Sequence, residues 1–388
     1  MGFQGLEEVE ALKTDTLAQE FDQCIKCGLC VASCPVSKEL LLEKYTPRGK
    51  IQLARYFTRG DLELSDHYQE IFAKCLLCGA CTVTCPSGVD LRKVFLSMRS
   101  RITKDRGIHP HMKGVVQSLL SNHNISDEPN EERVEWGEDI PGMAPMARKE
   151  RAEVVYFVGC VASFFPMVQA IPPNLVKILQ AARIDFALLA GDEWCCGYPL
   201  IGAGLPGDME ELKAHNLDRV HALGAERVVF SCPSCFHTWK DYYHASLELY
   251  HATQFIEALI REGSLTLREV DLTVTYHDPC DLGRNSGVYE APRQILKAIP
   301  GLTLVELENS RAKSVCCGGG GNVEMGDAGL SEKVAQKKIQ EIQRTGAHTV
   351  VTSCQQCVRT IKGSVRRQKV DLNVMDITEL VALALDRA

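Results

Sequence analysis

The chain has 388 residues, 45% of them hydrophobic and 24% charged, and its formal net charge is −7. This length fits two or three domains, and the ordinary composition excludes a disordered or collagen-like chain. The acidic balance argues against nucleic-acid binding, and no apolar run approaches the ~18 residues that a membrane span needs.

The N-terminal residues 1–8 are acidic and contain no hydrophobic stretch of the kind found in export signals. We therefore expect a cytoplasmic protein, held at the inner membrane only where a partner anchors it. Residues 1–105 are predicted to be mostly helical, because Leu6–Phe21, Gly49–Thr58 and Leu91–Ile102 carry apolar residues at helical spacing. Residues 106–150 are polar and contain several prolines, which predicts a linker or an extended surface segment.

Cysteine is the unusual feature of the composition, with 18 residues that fall into four groups and leave none over. A secreted disulfide scaffold would be shorter and would spread its cysteines through the fold. Bunched cysteines in a chain without an export signal indicate metal binding or redox chemistry instead. The groups are Cys24, Cys27, Cys30 and Cys34; Cys75, Cys78, Cys81 and Cys85; Cys160, Cys195, Cys196, Cys232 and Cys235; and Cys280, Cys316, Cys317, Cys354 and Cys357.

The last two groups repeat at offsets of 120 to 122 residues, which predicts two copies of one structural unit, at 151–264 and 265–388. In each copy, runs of β-branched residues end just before a cysteine and alternate with helical patterns. This pattern predicts parallel α/β packing, in which sites form beyond the carboxyl ends of the strands. The predicted fold is thus an α-helical domain over 1–105, a linker over 106–150 and two homologous parallel α/β repeats.

Each of the first two groups has the spacing C-x2-C-x2-C-x3-C followed by proline, at Pro35 and Pro86. This is the bacterial ferredoxin pattern for a [4Fe–4S] cube, in which the fourth cysteine binds the other cube. The alternative, a zinc ion held by four cysteines, explains neither the double C-x2-C step nor the prolines. We predict one cube on Cys24, Cys27, Cys30 and Cys85, and another on Cys75, Cys78, Cys81 and Cys34.

The third and fourth groups each contain a lone cysteine, a Cys-Cys-Gly sequence and a C-x2-C pair. Their order after two ferredoxin motifs resembles the D subunit of heterodisulfide reductases, over residues 20–385. The resemblance implies that each five-cysteine group holds a non-cubane [4Fe–4S] cluster at the active site. A zinc or redox dithiol at each C-x2-C pair would leave Cys160, Cys195 and Cys196 unexplained.

Iron–sulfur subunits of glycolate or lactate oxidases and of anaerobic glycerol-3-phosphate dehydrogenase share this layout. The first functional hypothesis is an oxidoreductase of anaerobic metabolism that reduces a disulfide at the Cys-Cys-Gly sites. The alternative is a pure electron relay within a complex that oxidises glycolate, lactate or glycerol-3-phosphate or reduces an acyl-CoA. Either function needs partners, because the chain shows no flavin motif and no membrane span: a flavoprotein, another electron-carrying subunit or a cytochrome b-type membrane subunit.

Three further features lie close to the cysteines. His277 and Asp278 either supply a proton at the second five-cysteine site or cap the end of a strand. Gly318–Gly321 is predicted to let backbone amides approach the cluster beside Cys317. Asp192–Trp194, before the first Cys-Cys pair, is interpreted as local packing.

Overall fold

The computed structural model describes residues 14–138, 140, 146–147 and 149–385. The N-terminal part is helical, as predicted, although much of the predicted helix Leu6–Phe21 lies outside the described residues. The predicted helices over 49–58 and 91–102 are confirmed and are slightly longer. The helices are Thr14–Gln23, Leu29–Ser33, Pro35–Leu40, Pro47–Thr58, Asp66–Ala73, Ala80–Thr84 and Leu91–Arg106, with a 3-10 turn at Glu43–Tyr45.

Each of the two C-terminal repeats contains a four-stranded parallel sheet, so the predicted fold class is confirmed. The strands are β1 (Val154–Phe157), β2 (Phe186–Leu188), β3 (Arg227–Phe230) and β4 (Glu248–His251), then β5 (Leu272–His277), β6 (Leu302–Glu306), β7 (Thr349–Thr352) and β8 (Asn373–Asp376). Their orders, β2-β1-β3-β4 and β6-β5-β7-β8, are the same in the two repeats. Val154 is aligned with Phe186 and Arg227, and Val274 with Leu304 and Thr349. The shared order shows that the cysteine repeat is a repeat of the whole folded unit.

Helices connect the strands and cover the sheets. In the first repeat they are Cys160–Phe164, Ile171–Ala181, Tyr198–Ala203, Glu210–Ala222, Pro233–Thr238 and Ala252–Arg261, with 3-10 turns at Pro166–Val168, Ala190–Asp192 and Gly207–Met209 and a π-helical turn at Trp239–Tyr243. In the second they are Glu290–Ala298, Val323–Gly326, Ala328–Gln343, Gln355–Gln368 and Ile377–Ala384, with a 3-10 turn at Arg311–Lys313.

The two repeats pack against each other in a reciprocal manner. The last helix of the second repeat, Ile377–Ala384, packs on Ile171–Ala181 of the first. The corresponding helix of the first repeat, Ala252–Arg261, packs on Glu290–Ala298 of the second. Buried residues of both repeats form one hydrophobic cluster, and burial of apolar surface stabilises this arrangement. The packing fixes the position of one set of cysteines relative to the other.

The segment 106–150, predicted to be a linker, contains the 3-10 turns Pro110–Met112 and Asn130–Gly137 and the helix Lys113–Ser121. Leu119 and Arg133 are buried, so parts of the segment lie within the packed structure. The domain boundaries at 105, 150 and 264 stay a prediction. No helix of the described residues is long and apolar enough to cross a membrane.

Candidate metal centres

In each of the first two cysteine groups, the fourth cysteine lies beside the first three cysteines of the other group. Leu29–Ser33 and Ala80–Thr84 contact each other, and Cys34 and Cys85 follow their ends. One cavity of about 360 Å³ is lined by Cys24, Cys27, Cys30 and Cys85. A second, of about 410 Å³, is lined by Cys34, Cys75, Cys78 and Cys81. These are the two crossed sets that the ferredoxin spacing predicts, and we call the cavities ferredoxin pockets I and II.

Burial affects the thiols of the ferredoxin pockets. It raises the pKa of Cys30 to about 11, and the neighbouring Cys24, Cys27 and Cys85 add to this effect. Cys81, in pocket II, has its pKa raised by burial and then by Cys78, Cys75 and Cys34. These two thiols, Cys30 and Cys81, are protonated at neutral pH in the metal-free chain, so metal binding must release their protons.

The first five-cysteine group lies at the carboxyl ends of β1, β2 and β3. Cys160 begins a helix after β1, Cys195 and Cys196 lie in the loop after β2, and Cys232 caps the helix Pro233–Thr238 after β3. Parallel strands bring these ends to one edge of the sheet. The side chains contact one another in the order Cys160, Cys195, Cys196, Cys235 and Cys232.

Gly159 leaves room for this group, because a Cβ atom at that position would lie 3.1 Å from Cys235 Sγ. Its φ of 83° is also in the region that favours glycine. A larger residue at the end of β1 would therefore crowd the thiols.

The second five-cysteine group has the same arrangement. Its side chains contact one another in the order Cys280, Cys316, Cys317, Cys357 and Cys354. Cys316 also contacts Cys78 of ferredoxin pocket II. The second group is therefore directly adjacent to the ferredoxin pockets, a relation that the sequence spacing alone could not reveal.

Both five-cysteine groups face one cavity of about 1170 Å³ between the two repeats, which we call the central cavity. All of their cysteines line it except Cys316. Cys232 and Cys354, one from each group, both line it, and their chain neighbours Ser231 and Gln355 are joined by a hydrogen bond of 2.9 Å. The remaining lining combines apolar and aromatic residues with three charged ones, and it includes Val115, Phe165, Tyr198, Met325, Asp281, Glu324 and Arg359.

Gln355, from the second C-x2-C pair, holds the two repeats together beside this cavity. Its Nε2 donates to Val158 O at 2.7 Å and to Ser231 Oγ at 2.9 Å, and its Oε1 accepts from Ala162 N at 3.0 Å. A further bond between the repeats has its donor in the first one: Ser234 Oγ donates to Asp281 Oδ2 of the second repeat at 2.7 Å. These bonds keep the cavity walls at a fixed separation.

Buried cations lie close to the thiols. Lys50, only 2% exposed, donates to Lys74 O at 2.6 Å and lies near Cys34, Cys75 and Cys81 of pocket II. By contrast, Arg48 beside pocket I is 37% exposed and pairs with Glu43. A buried positive charge stabilises thiolate ligands and the added negative charge of a reduced cluster.

Two residues that sequence reasoning missed lie at the first group. Arg133, from the predicted linker, donates to Cys160 Sγ at 3.1 Å and to Glu193 at 3.0 Å. Glu193 in turn accepts from Val158 N and Gly159 N, so it contacts the site rather than serving local packing alone. No motif marks Arg133, because a single arginine in a polar segment carries no recognisable pattern.

His277 is buried against the second group, with a ring nitrogen, Cys317 Sγ and Cys357 Sγ within 4.8 Å of one another. Asp278 is bound by Arg293 at 2.7 and 2.9 Å and by Arg311 N at 2.7 Å. The geometry therefore places the imidazole at the thiols and fixes the carboxylate at the strand end.

The glycine run Gly318–Gly321 has a second neighbour besides Cys317. A Cβ atom at Gly321 would overlap the Cys75 carbonyl, and one at Gly320 would lie 2.7 Å from Leu76 O. The run lets the second repeat approach the loop of ferredoxin pocket II closely.

The donor sets fit iron–sulfur groups. Each ferredoxin pocket is lined by four thiols, and soft thiolates select such clusters. Each five-cysteine group exceeds the four ligands that a structural zinc ion takes.

Comparison with known proteins agrees with this chemistry. A 4Fe-4S dicluster domain matches residues 20–89, and a cysteine-rich domain matches 154–240 and 274–362. The D subunit of the dihydromethanophenazine:CoB–CoM heterodisulfide reductase of Methanosarcina acetivorans is 32% identical over 94% of both chains. Its counterpart in Methanosarcina barkeri is 31% identical, again over 94% of both chains.

A third relative is the B subunit of the CoM/CoB fumarate reductase of Methanothermobacter marburgensis. It is 28% identical over 93% of this chain and 72% of its own length. The relatives are named as subunits of reductases, which supports an iron–sulfur electron-transfer subunit that works with partners. With its dicluster domain, its two cysteine-rich repeats and this identity along nearly its whole length, the chain belongs to the family of iron–sulfur proteins formed by the D subunits of heterodisulfide reductases.

Proposed function

We propose that the chain reduces a disulfide in the central cavity, using electrons that enter through the ferredoxin pockets. The observation that carries this proposal is that both five-cysteine groups open into the same cavity, whose lining includes Cys232 of the first group and Cys354 of the second. A substrate disulfide bound between the two five-cysteine groups has one sulfur near each group. It takes up two electrons and two protons, its S–S bond breaks, and two thiols leave.

The proposed cofactors are two cubane [4Fe–4S] clusters in the ferredoxin pockets and two non-cubane [4Fe–4S] clusters at the five-cysteine groups. When bound, they supply the two electrons in single steps. The family resemblance and the donor count of each group support this division. The chain itself contributes the ligands and the spacing of the two groups.

The entry point for electrons is proposed at ferredoxin pocket I. Cys27 is exposed, and next to it Ile25 and Leu29 are 68% and 51% exposed. Exposed apolar side chains around a redox site are typical of a docking surface. The proposed partner is a flavoprotein, another electron-carrying subunit or a cytochrome b-type membrane subunit, and the last would place the chain at the membrane surface.

The test uses anaerobically purified full-length protein that contains about 16 iron atoms per chain, the content of four 4Fe clusters. A pre-reduced one-electron dye is mixed with a disulfide, and dye oxidation and thiol release are measured together. The proposal predicts two dye molecules oxidised and two thiols released per disulfide. An electron relay whose chemistry lies in a partner predicts full iron content without disulfide-dependent dye oxidation, and that result would refute the proposal.

A variant and the iron content locate the reaction. Cys354→Ser, in the central cavity, is expected to abolish dye oxidation while the iron of the ferredoxin pockets remains. A zinc protein would be colourless and free of iron, and iron near about 8 atoms per chain would mean that the five-cysteine groups hold no clusters.

A further inference from the structure

The two five-cysteine sites are homologous, but the charged side chains around them differ. Arg133 is 2% exposed and reaches the first site from the 3-10 turn Asn130–Gly137. Its Nη2 donates to Cys160 Sγ at 3.1 Å, its Nη1 to Glu193 at 3.0 Å and its Nε to Asn130 at 3.1 Å. The guanidinium group is therefore fixed in place, with one N–H directed at a ligand sulfur.

Glu193 holds the opposite end of this arrangement. It is also 2% exposed, and its carboxylate accepts from Val158 N at 2.7 Å and from Gly159 N at 2.8 Å. Because these amides follow β1, the ion pair is tied to the strand that leads to Cys160. The positive group of the pair lies next to the thiol, and the negative group is neutralised in part by the backbone.

Among the described residues, the second site has no guanidinium group that donates to a ligand sulfur; the buried cation near Cys316 and Cys317 is Lys338, which is paired with Glu341. At the offset of the repeat, Ser314 occupies the position that corresponds to Glu193. Arg284 lies near Cys280 and Cys316, but its hydrogen bonds go to the carbonyls of Cys78, Ala312 and Ser314. Within the described part of the chain, the side chain other than cysteine that contacts a ligand sulfur there is the imidazole of His277, beside Cys317.

Hydrogen bonds to ligand sulfurs and nearby positive charge both raise the reduction potential of an iron–sulfur cluster. We infer that Arg133 is a positioning residue that, by donating to Cys160 Sγ, raises the potential of the first five-cysteine site above the value that its ligands alone would give. This inference rests on the proposed function, since it requires an iron–sulfur group at that site. Arg133 thus increases the electron affinity of the first site.

The positions of the two sites indicate the direction of electron transfer. The second site adjoins ferredoxin pocket II through Cys316 and Cys78, whereas the first site faces the second across the central cavity. Electrons that enter from a reduced partner reach the second site before the first. By raising the potential of the first site, Arg133 favours electron transfer across the cavity in which the disulfide is reduced.

Two substitutions separate a charge effect from loosened packing, because they should shift the potential in opposite directions. Arg133→Met removes the positive charge and the N–H donor, so the potential should fall. Glu193→Gln keeps the shape and leaves the charge of Arg133 uncompensated, so the potential should rise. Arg133→Lys restores the charge without the full set of donors and should give a value between Arg133→Met and wild type. Glu135→Gln makes the same chemical change at an exposed position of the Arg133 turn and serves as the control.

The measurement is a redox titration of each full-length protein followed by paramagnetic resonance, with the iron content determined in parallel. At the wild-type midpoint potential of one signal, Arg133→Met should lower the ratio of reduced to oxidised sites at least about tenfold, which is about 59 mV for one electron. Glu193→Gln should raise the same ratio, and the other signals should stay in place in both variants and in Glu135→Gln.

The outcomes distinguish the inference from the proposal beneath it. Iron near about 8 atoms per wild-type chain overturns both, because the five-cysteine sites would then hold no clusters. Iron near about 16 atoms with unmoved potentials, or with shifts of the same sign in the two variants, overturns the role of Arg133 alone. If Arg133→Met does not load iron, Glu193→Gln decides: a raised potential supports the inference, and an unchanged or lowered one refutes it.

Discussion

Arg99 provides a direct test of how the three parts of the chain are held together. It lies on the helix Leu91–Arg106, is 6% exposed and donates its N–H groups to backbone carbonyls of the described residues. Burial lowers the pKa of its guanidinium group. The acceptors are the carbonyls of Phe72 (3.1 Å), Ala73 (3.0 Å), Cys75 (2.7 Å), Gly202 (2.7 Å) and Gly321 (2.9 Å).

These acceptors belong to the ferredoxin region and to both repeats, so Arg99→Met removes donors from all three at once. The Ala73 carbonyl keeps a second donor, Cys75 N, at 2.9 Å. At about 1 kcal/mol for each of the other carbonyls, the low end of the cost of an unpaired buried acceptor, the loss is about 4 kcal/mol. This is a large share of a typical stability of about 5–15 kcal/mol.

The assay is thermal or denaturant unfolding of the anaerobic protein, with the absorption of the iron–sulfur groups and the circular dichroism followed together. We expect Arg99→Met to lose the iron–sulfur absorption of the ferredoxin pockets before the circular dichroism of the α/β repeats. Arg99→Lys should be intermediate. Arg106→Met, on the same helix but at an exposed ion pair with Asp66, should change stability by less than about 1 kcal/mol. An Arg99→Met protein that unfolds in one transition at the wild-type midpoint would refute the argument.

Three further predictions concern single buried side chains. Burial raises the pKa of Asp376 from its ordinary 3.8 to about 7, and its Oδ2 has no hydrogen-bond partner among the described residues. Between these two pH values, the folded state therefore holds a proton that the unfolded state releases. The contribution of this group to stability is lost as the pH rises from about 4 to above 7. Relative to wild type, Asp376→Asn should thus gain up to about 4 kcal/mol in unfolding free energy between about pH 4 and pH 8, and a pH-independent difference would contradict this. Lys50→Met should lower the midpoint potential of the cluster in ferredoxin pocket II. Arg48→Met should lower the midpoint potential of the cluster in pocket I by less, because Arg48 is more exposed and is paired with Glu43. Equal shifts of the two potentials in a redox titration would count against the charge argument. Gln355→Leu should cost about 3 kcal/mol by leaving Val158 O and Ala162 N without the partners they have in the folded chain, and unfolding midpoints equal to wild type would show that the bridge is dispensable.

The cysteine spacing predicted much of the fold and of the candidate sites. Offsets of 120 to 122 residues correspond to two sheets of identical order, and the runs before Cys160 and Cys280 are β1 and β5. These features are local and repeated, so they leave a clear pattern in the sequence. The edge strands β2 and β4 were not predicted, because β2 has three residues and β4 has a mixed polar sequence.

The contacts between distant parts of the chain could not be predicted. Arg133 reaches Cys160, Arg99 reaches Gly321, and Gln355 reaches Val158, each across a long stretch of sequence. A single buried polar residue has no periodicity, and its partners are defined only once the repeats are packed. The linker prediction for 106–150 failed to anticipate the buried Arg133 for the same reason.

In the proposed function, the two five-cysteine groups bind the sulfur atoms of a substrate in one cavity. The most direct measurement is the paramagnetic resonance spectrum of the oxidised, iron-replete chain before and after addition of a thiol. If the groups bind substrate sulfur, a new thiol-dependent signal should appear, be lost in Cys354→Ser and be retained in Cys27→Ser at ferredoxin pocket I. A spectrum that thiol leaves unchanged in the iron-replete wild-type protein would contradict this proposal.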